Sequence, residues 1–273
     1  EGYDAVMVNC NPETVSTDYD TSQRMYFEPL TADSVEQVVR HERDGFAGVA
    51  LTFGGQTPLN IAHALAAKGI KILGTSLGSI DLAEDRAKFG AFLRANKIAH
   101  PAWVTVASVA QAWRLVAKKD FLRFPLLVRP SYVLGGRGFQ VFYQPEAMLA
   151  YLATLSWTKG QQVYLDEFLE DAIEFDVDVV CDGKDAVVCG IMEHIEEAGI
   201  HSGDSSCIWP PVSVPRSCLQ QIEKTALALA KKLSIVGLLN IQFIYRAGKV
   251  YVLEANPRAS RTVPFISKAS GVP

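Results

Sequence analysis

A change of period near residue 124 limits the folds open to this chain more than any other feature. Before it, short β-rich runs alternate with amphipathic helical ones. Ala5 to Asn9 reads as a strand and Ala32 to Asp44 as a helix with Val35, Val38 and Val39 on one face. Ala47 to Phe53 follows as a strand, Thr57 to Lys68 as a helix and Lys71 to Leu73 as a strand. That order predicts a parallel α/β unit. Helices over Arg86 to Asn96 and Val109 to Lys118 come next. After Phe124 the period is mostly two, with strands at Pro125 to Arg129, Phe139 to Tyr143, Gln162 to Phe168, Glu174 to Cys181 and Ala186 to His194, and a helix near Glu146 to Leu155. A helix over Arg216 to Leu233, with Leu219, Ile222, Ala226, Leu229 and Leu233 at 3-4-3-4 spacing, precedes strands at Leu239 to Tyr245 and Val250 to Ala255. The fold class is α/β followed by α+β. The expected boundary lies near Gly78, dividing residues 1–78 from 79–273, with a smaller subdomain at about 124–195.

Length and charge narrow the function. With 273 residues, at about 150 per domain, the chain can build two cores without disulfides. Its 26 Lys plus Arg against 30 Asp plus Glu leave a net charge of −4, which argues against nucleic acid as a partner. Cys10, Cys181, Cys189, Cys207 and Cys218 are odd in number and form no CxxC pair, as expected of reduced thiols in a cytoplasmic enzyme. The longest apolar stretch, Ile235 to Tyr245, is interrupted by Gly237, Asn240 and Gln242 and is too short to span a membrane, which takes about 20 residues. The chain opens at Glu1 and closes at Gly271-Val272-Pro273, and it reads as a piece of something longer.

Three local patterns carry chemistry. Arg129-Pro130-Ser131-Tyr132-Val133-Leu134-Gly135-Gly136-Arg137-Gly138 joins two strands. Its glycines allow backbone N–H groups close to an anion and its arginines suit phosphate oxygens, although a plain hairpin loop has the same spacing. In Glu174-Phe175-Asp176-Val177-Asp178-Val179 three carboxylates share one strand face, and on spacing alone this fits an edge strand with a solvated acidic face. Last, Glu254, Asn256 and Arg258 share a face, and Gln242 shares one with Asn240, a set of oxygens suited to a hard cation. A two-residue turn at Ala247-Gly248 sets Gln242 opposite Leu253, on the wrong face, whereas a three-residue turn pairs Asn240 with Glu254, so an odd loop is expected. A strand-end Glu254 in solvent remains the alternative. His194 and His201 flank Glu196 and Glu197 at a spacing that suits no zinc site and are read as non-metal residues. G-x-x-x-x-G-K-S/T, G-x-G-x-x-G and H-E-x-x-H are absent.

Taken together, these signals resemble one family. The stretches Asn9-Cys10-Asn11-Pro12-Glu13-Thr14-Val15-Ser16-Thr17-Asp18-Tyr19-Asp20, Gly54-Gly55-Gln56-Thr57-Pro58-Leu59 and Glu84-Asp85-Arg86 are similar to the large chain of carbamoyl-phosphate synthetase, an ATP-grasp enzyme. The likeness continues through Arg129 to Gly138, Met192 to Ser205, and Glu254 to Arg261 with Thr262-Val263-Pro264-Phe265. That large chain has two homologous halves, and Pro12 to Tyr19 with Ser131 to Arg137 look like the second, carbamate-phosphorylating one.

The resemblance implies a pre-ATP-grasp α/β domain, without its opening strand and Gly-containing turn, followed by an ATP-grasp domain. It implies ATP under the Gly-rich loop, held by Arg86, Arg129, Gly135 and Gly136. Glu167 and Leu169 would lie at the adenine, Glu174 at the ribose, and Gly199, Ile200, His201 and Ser202 along the nucleotide. Glu167 departs from relatives that carry His there. Gln242, Glu254 and Asn256 would hold Mg²⁺ or Mn²⁺, with Gln242 and Glu254 also meeting the nucleotide and K⁺ as a further cation. Arg258, Arg261 and Arg137 would face the phosphoryl group and carbamate. Implied partners are the rest of the large chain, a glutamine amidotransferase small chain or domain, and small-molecule substrates. Phosphoryl transfer needs positioning and charge neutralisation and no side-chain nucleophile. Another ATP-grasp ligase, of the biotin-carboxylase or amino-acid-ligating kind, a fragment that binds ATP without turnover, and a structural domain remain as alternatives.

Overall fold

The computed structural model describes residues 2–42, 45–118, 122–130, 140–157, 162–199 and 205–272. The first third holds β1 (Val6–Asn9), β2 (Arg24–Phe27), α1 (Ala32–His41), β3 (Val49–Ala50), α2 (Gln56–Asn60), α3 (Ala62–Ala67), β4 (Ile72–Leu73) and α4 (Leu77–Glu84). Thr31 caps α1 by accepting from the Ser34 N–H at 3.2 Å. As the alternation predicts, the strand pairs are parallel, β1 with β2 and β3 with β4, in two separate sheets. Val35, Leu51, Leu59, Leu65, Ile70 and Ile80 form the core beneath them. The expected strand over 47–53 shrinks to two residues, because beyond it the Thr52 carbonyl accepts from the Ala259 N–H at 2.7 Å, far along the chain. The expected helix over 57–68 breaks at Ile61, the junction of α2 and α3.

α5 (Arg86–Ala95) starts at Asp85, whose side chain accepts from the Lys88 N–H at 2.9 Å. Then come β5 (Trp103–Val106), α6 (Val109–Lys118), β6 (Leu126–Pro130), β7 (Gln140–Phe142), α7 (Pro145–Thr154) and β8 (Val163–Glu167). The strands make an antiparallel sheet in the order β5-β8-β6-β7. One face packs Val106, Leu126, Val128, Val163 and Leu165 on Met148 and Leu152 of α7 and Ala112 of α6. The other face meets α5. Arg86, Gly90 and Arg94 are one helical turn apart, with Arg86 over the Tyr164 ring and Arg94 over that of Trp103. A Cβ on Gly90 would collide with the Trp103 indole, so helix and sheet approach closely there.

The last third forms β9 (Ile173–Asp182), β10 (Ala186–His194), β11 (Cys207–Ile208), α8 (Arg216–Lys232), β12 (Val236–Arg246), β13 (Lys249–Asn256) and α9 (Thr262–Ser270). The sheet order is β11-β10-β9-β12-β13. Phe175, Val177 and Val179 of β9 and Leu239, Ile241 and Phe243 of β12 pack on Ile222, Ala226 and Leu229 of α8, while Phe89 and Leu93 of α5 join the same core. Cys218 is buried at the start of the α8 stripe and Leu219 only partly.

Two expectations fail here. β9 is paired on both sides, so the acidic strand is not an edge. Its carboxylates are buried: Glu174 and Asp176 are each 4% exposed and Asp178 1%. The hairpin turn is not odd either. Arg246 pairs with Lys249, leaving a two-residue Ala247-Gly248 turn with φ of 49° and 82°, the left-handed geometry that matches strand twist. The parity is corrected farther along, where Phe243 pairs with Val252 but Gln242 pairs with Glu254, so Leu253 is an extra residue in a β-bulge.

α9 covers the carboxylate face. Gly190 of β10 pairs with Asp178, and a Cβ there would run into the Ile266 side chain. Gly190→Ala is expected to cost about 1–3 kcal/mol by overpacking, read as a lowered denaturant midpoint with an unchanged slope; equal stability would mean that α9 yields without cost.

Candidate nucleotide and metal site

Directly opposed residues of an antiparallel pair share a face, so the registers assemble one polar surface. Glu174, Asp176 and Asp178 on β9 lie beside Asn240 and Gln242 on β12. These lie beside Glu254 and Asn256 on β13. His194 of β10 and Cys207 of β11 continue the surface on the other side.

Its floor is a satisfied network. Asp178 accepts from Asn240 Nδ2 at 3.0 Å, Ser260 Oγ at 2.8 Å and Thr262 Oγ1 at 2.6 Å. Asp176 accepts from Asn240 Nδ2 at 3.2 Å and pairs with His194 Nε2 at 2.9 Å. Burial pushes the Asp178 and Glu174 carboxyls up, against the hydrogen bonds that hold each charged form. For His194 burial alone would lower the imidazole, but hydrogen bonds to Asp176 and then Cys207 prevail and raise it to about 10. Because Ser260 and Thr262 bracket Arg261 and follow Arg258, Asp178 anchors the segment that carries both arginines.

Above this floor, Gln242, Glu254 and Asn256 converge. Asn256 Nδ2 donates to Glu254 Oε1 at 3.0 Å, and Glu254 is exposed at the strand end. Asn240 lies one layer below the cluster. It stands opposite Asn256, not Glu254, and its amide is committed to Asp176 and Asp178. The oxygen donors fit a hard divalent cation. Arg258 Nε is buried and has no hydrogen-bond partner among the described residues, which fits an anion still to be supplied. Arg261 stands exposed as the residue that caps α9.

The residues expected at the nucleotide lie on several elements, with Arg86 on α5, Arg129 on β6 and Glu174 on β9. Arg86 and Arg129 both bind Asp166 of β8, Arg129 Nε at 2.9 Å. Burial pushes the Asp166 carboxyl up to about 6, even against Arg129, which pulls it down. Glu174 accepts from the Gly199 N–H at 3.3 Å. Leu169 packs with Ala172, Ile244 and Leu253 in an apolar patch suited to a flat base, and Glu167 ends β8 nearby, its N–H on the Ala102 carbonyl. Gly135, Gly136, Arg137, Ile200, His201 and Ser202 lie outside the described residues.

Asp166, Asp178 and Leu253 were not singled out from the sequence for these roles. Leu253 had a signal, since buried Val250, Val252 and Ala255 break a period of two where the bulge falls. The pairings of Asp166 and Asp178 span tens of residues and leave no local mark.

Two family models match the chain: the carbamoyl phosphate synthase preATP-grasp domain over residues 1–82, and the carbamoyl-phosphate synthase L chain, ATP binding domain, over residues 85–273. A carbamoyl phosphate synthase large chain of Archaeoglobus fulgidus is 53% identical over 274 residues, covering 100% of this chain and 25% of that one. The Rubrobacter xylanophilus large chain is 53% identical over 273 residues, with the same coverage. The chain thus spans about a quarter of the length of these relatives. Among solved structures, the biotin carboxylase domain of Hydrogenobacter thermophilus 2-oxoglutarate carboxylase, in complex with MgADP, ADP and bicarbonate, superposes with a TM-score of 0.74 at 17% identity, over 100% of this chain and 62% of that one. N5-carboxyaminoimidazole ribonucleotide synthetase from Thermotoga maritima gives 0.70 at 16% identity, over 98% and 65%. These two likenesses show the fold. No helix among the described residues is long and apolar enough to cross a membrane.

Protonating Asp166 removes the charge that orients Arg86 and Arg129. Nucleotide affinity is therefore expected to fall severalfold between pH 7 and pH 5, around the value near 6, and Asp166→Asn should flatten that dependence while lowering affinity at pH 7. Calorimetric titration across pH tests this, and an unchanged slope in the variant would remove Asp166 from the role.

Proposed function

Because the chain belongs to the carbamoyl phosphate synthase large-chain family, we propose that it forms the ATP-grasp ligase unit that phosphorylates carbamate with ATP, yielding carbamoyl phosphate and ADP, within a synthesis from bicarbonate, ammonia and two ATP. The observation that carries this reading is the convergence of Gln242, Glu254 and Asn256 beside Arg258, whose Nε is buried and unpartnered among the described residues.

Mg²⁺ or Mn²⁺ would be held by Gln242, Glu254 and Asn256, and once bound it supplies charge neutralisation at the phosphates. Arg86 and Arg129, oriented by Asp166, bind and align the polyphosphate, Leu169, Ile244 and Leu253 receive the base, and Glu174 the ribose. Arg258 and Arg261, fixed by Asp178, stabilise the transferring phosphoryl group, which asks for placed charge and no covalent intermediate on the protein. The second-half assignment rests on Pro12 to Tyr19 and Ser131 to Arg137. The rest of the large chain and a glutamine-hydrolysing partner complete the proposed assembly, with residues 1–78 and 79–273 as its two domains here and a cytoplasmic setting. The second reading is nucleotide binding without turnover.

Formation of ATP from carbamoyl phosphate and ADP, in a coupled assay, tests the step alone. Glu254→Gln is expected to lower this rate by about 10² or more with the fold intact. Wild-type turnover in the variant would sink the metal assignment, and nucleotide binding without ATP formation by the parent chain would favour the second reading.

A further inference from the structure

Cys207 stands directly across from His194 at the β10–β11 pairing, and His194 meets Asp176 on β9. Three adjacent strands thereby offer a sulfur, a nitrogen and an oxygen whose atoms all lie within 4.8 Å of one another. Tetrahedral zinc, with bonds of about 2.0–2.3 Å, needs ligand atoms roughly 3.3–3.7 Å apart, so the His194–Asp176 pair, at 2.9 Å, would open by about 0.5 Å and the widest separation in the set would close by about 1 Å. Strand pairing fixes the directions of all three side chains. Asp176 and His194 are 4% and 5% exposed, and Cys207 is partly exposed on a two-residue outer strand, leaving a route of entry. The remaining Asp176 oxygen accepts from Asn240 Nδ2, the outer hydrogen bond that a metal-binding carboxylate needs.

We propose that Asp176, His194 and Cys207 form a second cation site, for a thiophilic divalent ion such as Zn²⁺. It is chemically distinct from the all-oxygen cluster of Gln242, Glu254 and Asn256, because thiolate and imidazole favour borderline-soft ions while amide and carboxylate oxygens favour Mg²⁺. A water entering beside Cys207 would supply the fourth ligand. Coordination needs a neutral imidazole and a thiolate, so uptake expels protons to solvent. An ion there would tie β11 to the central strand and engage Asp176, which lies opposite Gln242. The site does not depend on the carbamate reading.

The test is Co²⁺ titration of the intact protein in excess Mg²⁺, followed by thiolate-to-cobalt charge-transfer absorption, with Zn²⁺ displacing the signal. One equivalent is expected in the parent protein, in Cys189→Ser, in Cys10→Ser and in Glu254→Gln. Cys207→Ser and Cys207→Ala should weaken Co²⁺ by more than about 100-fold, with thermal melts in metal-free buffer confirming that both fold. Absence of the band in the parent protein, its persistence in the Cys207 variants, its loss in Glu254→Gln, or its displacement by Mg²⁺ would each overturn the proposal. Loss of ATP formation with the cobalt band intact would count against the phosphoryl-transfer reading alone.

Discussion

Three carboxylates on one face of a central strand are the constraint on which the rest of the structure depends. A buried, unpaired carboxylate costs several kcal/mol, so β9 can occupy the middle of its sheet only if distant segments deliver donors to Glu174, Asp176 and Asp178. They do: Asn240 comes from β12, His194 from β10, the Gly199 N–H from the stretch after β10, and Ser260 and Thr262 from the approach to α9. Satisfying the charges and building the site are one process. The residues that quench Asp178 bring Arg258 and Arg261 to the sheet, and Asn240 shares the face that carries Gln242, Glu254 and Asn256.

Register is the second constraint. The Ala247-Gly248 turn gives a tight hairpin, but a ladder propagated from it would set Gln242 opposite Leu253 and turn Glu254 toward the core. One extra residue restores the parity, and that residue works as well, since Leu253 joins Leu169 and Ile244 in the apolar patch. A single bulge thus turns a carboxylate onto the polar face and a leucine into the apolar patch, adjacent in sequence and divided in chemistry.

Legibility followed the range of the interactions. Strands 173–182, 186–194 and 249–256 and helix 216–232 were readable because alternation and the 3-4 stripe are local. The three carboxylates were readable as a face, but whether that face meets water depends on neighbours on both sides, and an alternating sequence is the same at an edge and in the middle. That is why a solvated edge was the natural expectation and a buried network the outcome. Likewise Gln242, Glu254 and Asn256 could be named from composition and spacing, whereas the device that aligns them, a bulge in place of an odd turn, showed only as a missed beat at Ala255. Asp166 was illegible, being one acidic residue at a strand end until the fold brings Arg86 from 80 residues away.

The position of Asp166 ties Arg86 and Arg129 to the joint between the two sheets. Arg86 sits on α5, whose Phe89 and Leu93 are buried in the five-stranded sheet's core, while Asp166 and Arg129 belong to the four-stranded sheet. Their contacts are charge-assisted and largely shielded, with Asp166 4% exposed on its side chain and Arg129 20%, where such bonds outweigh solvated pairs. On the proposed function, a polyphosphate beside these guanidiniums would draw on the same charge that holds the sheets together. Any movement that separates β8 from α5 would also misalign the two arginines, so on the proposed function anion affinity and the packing of the two sheets would share one carboxylate.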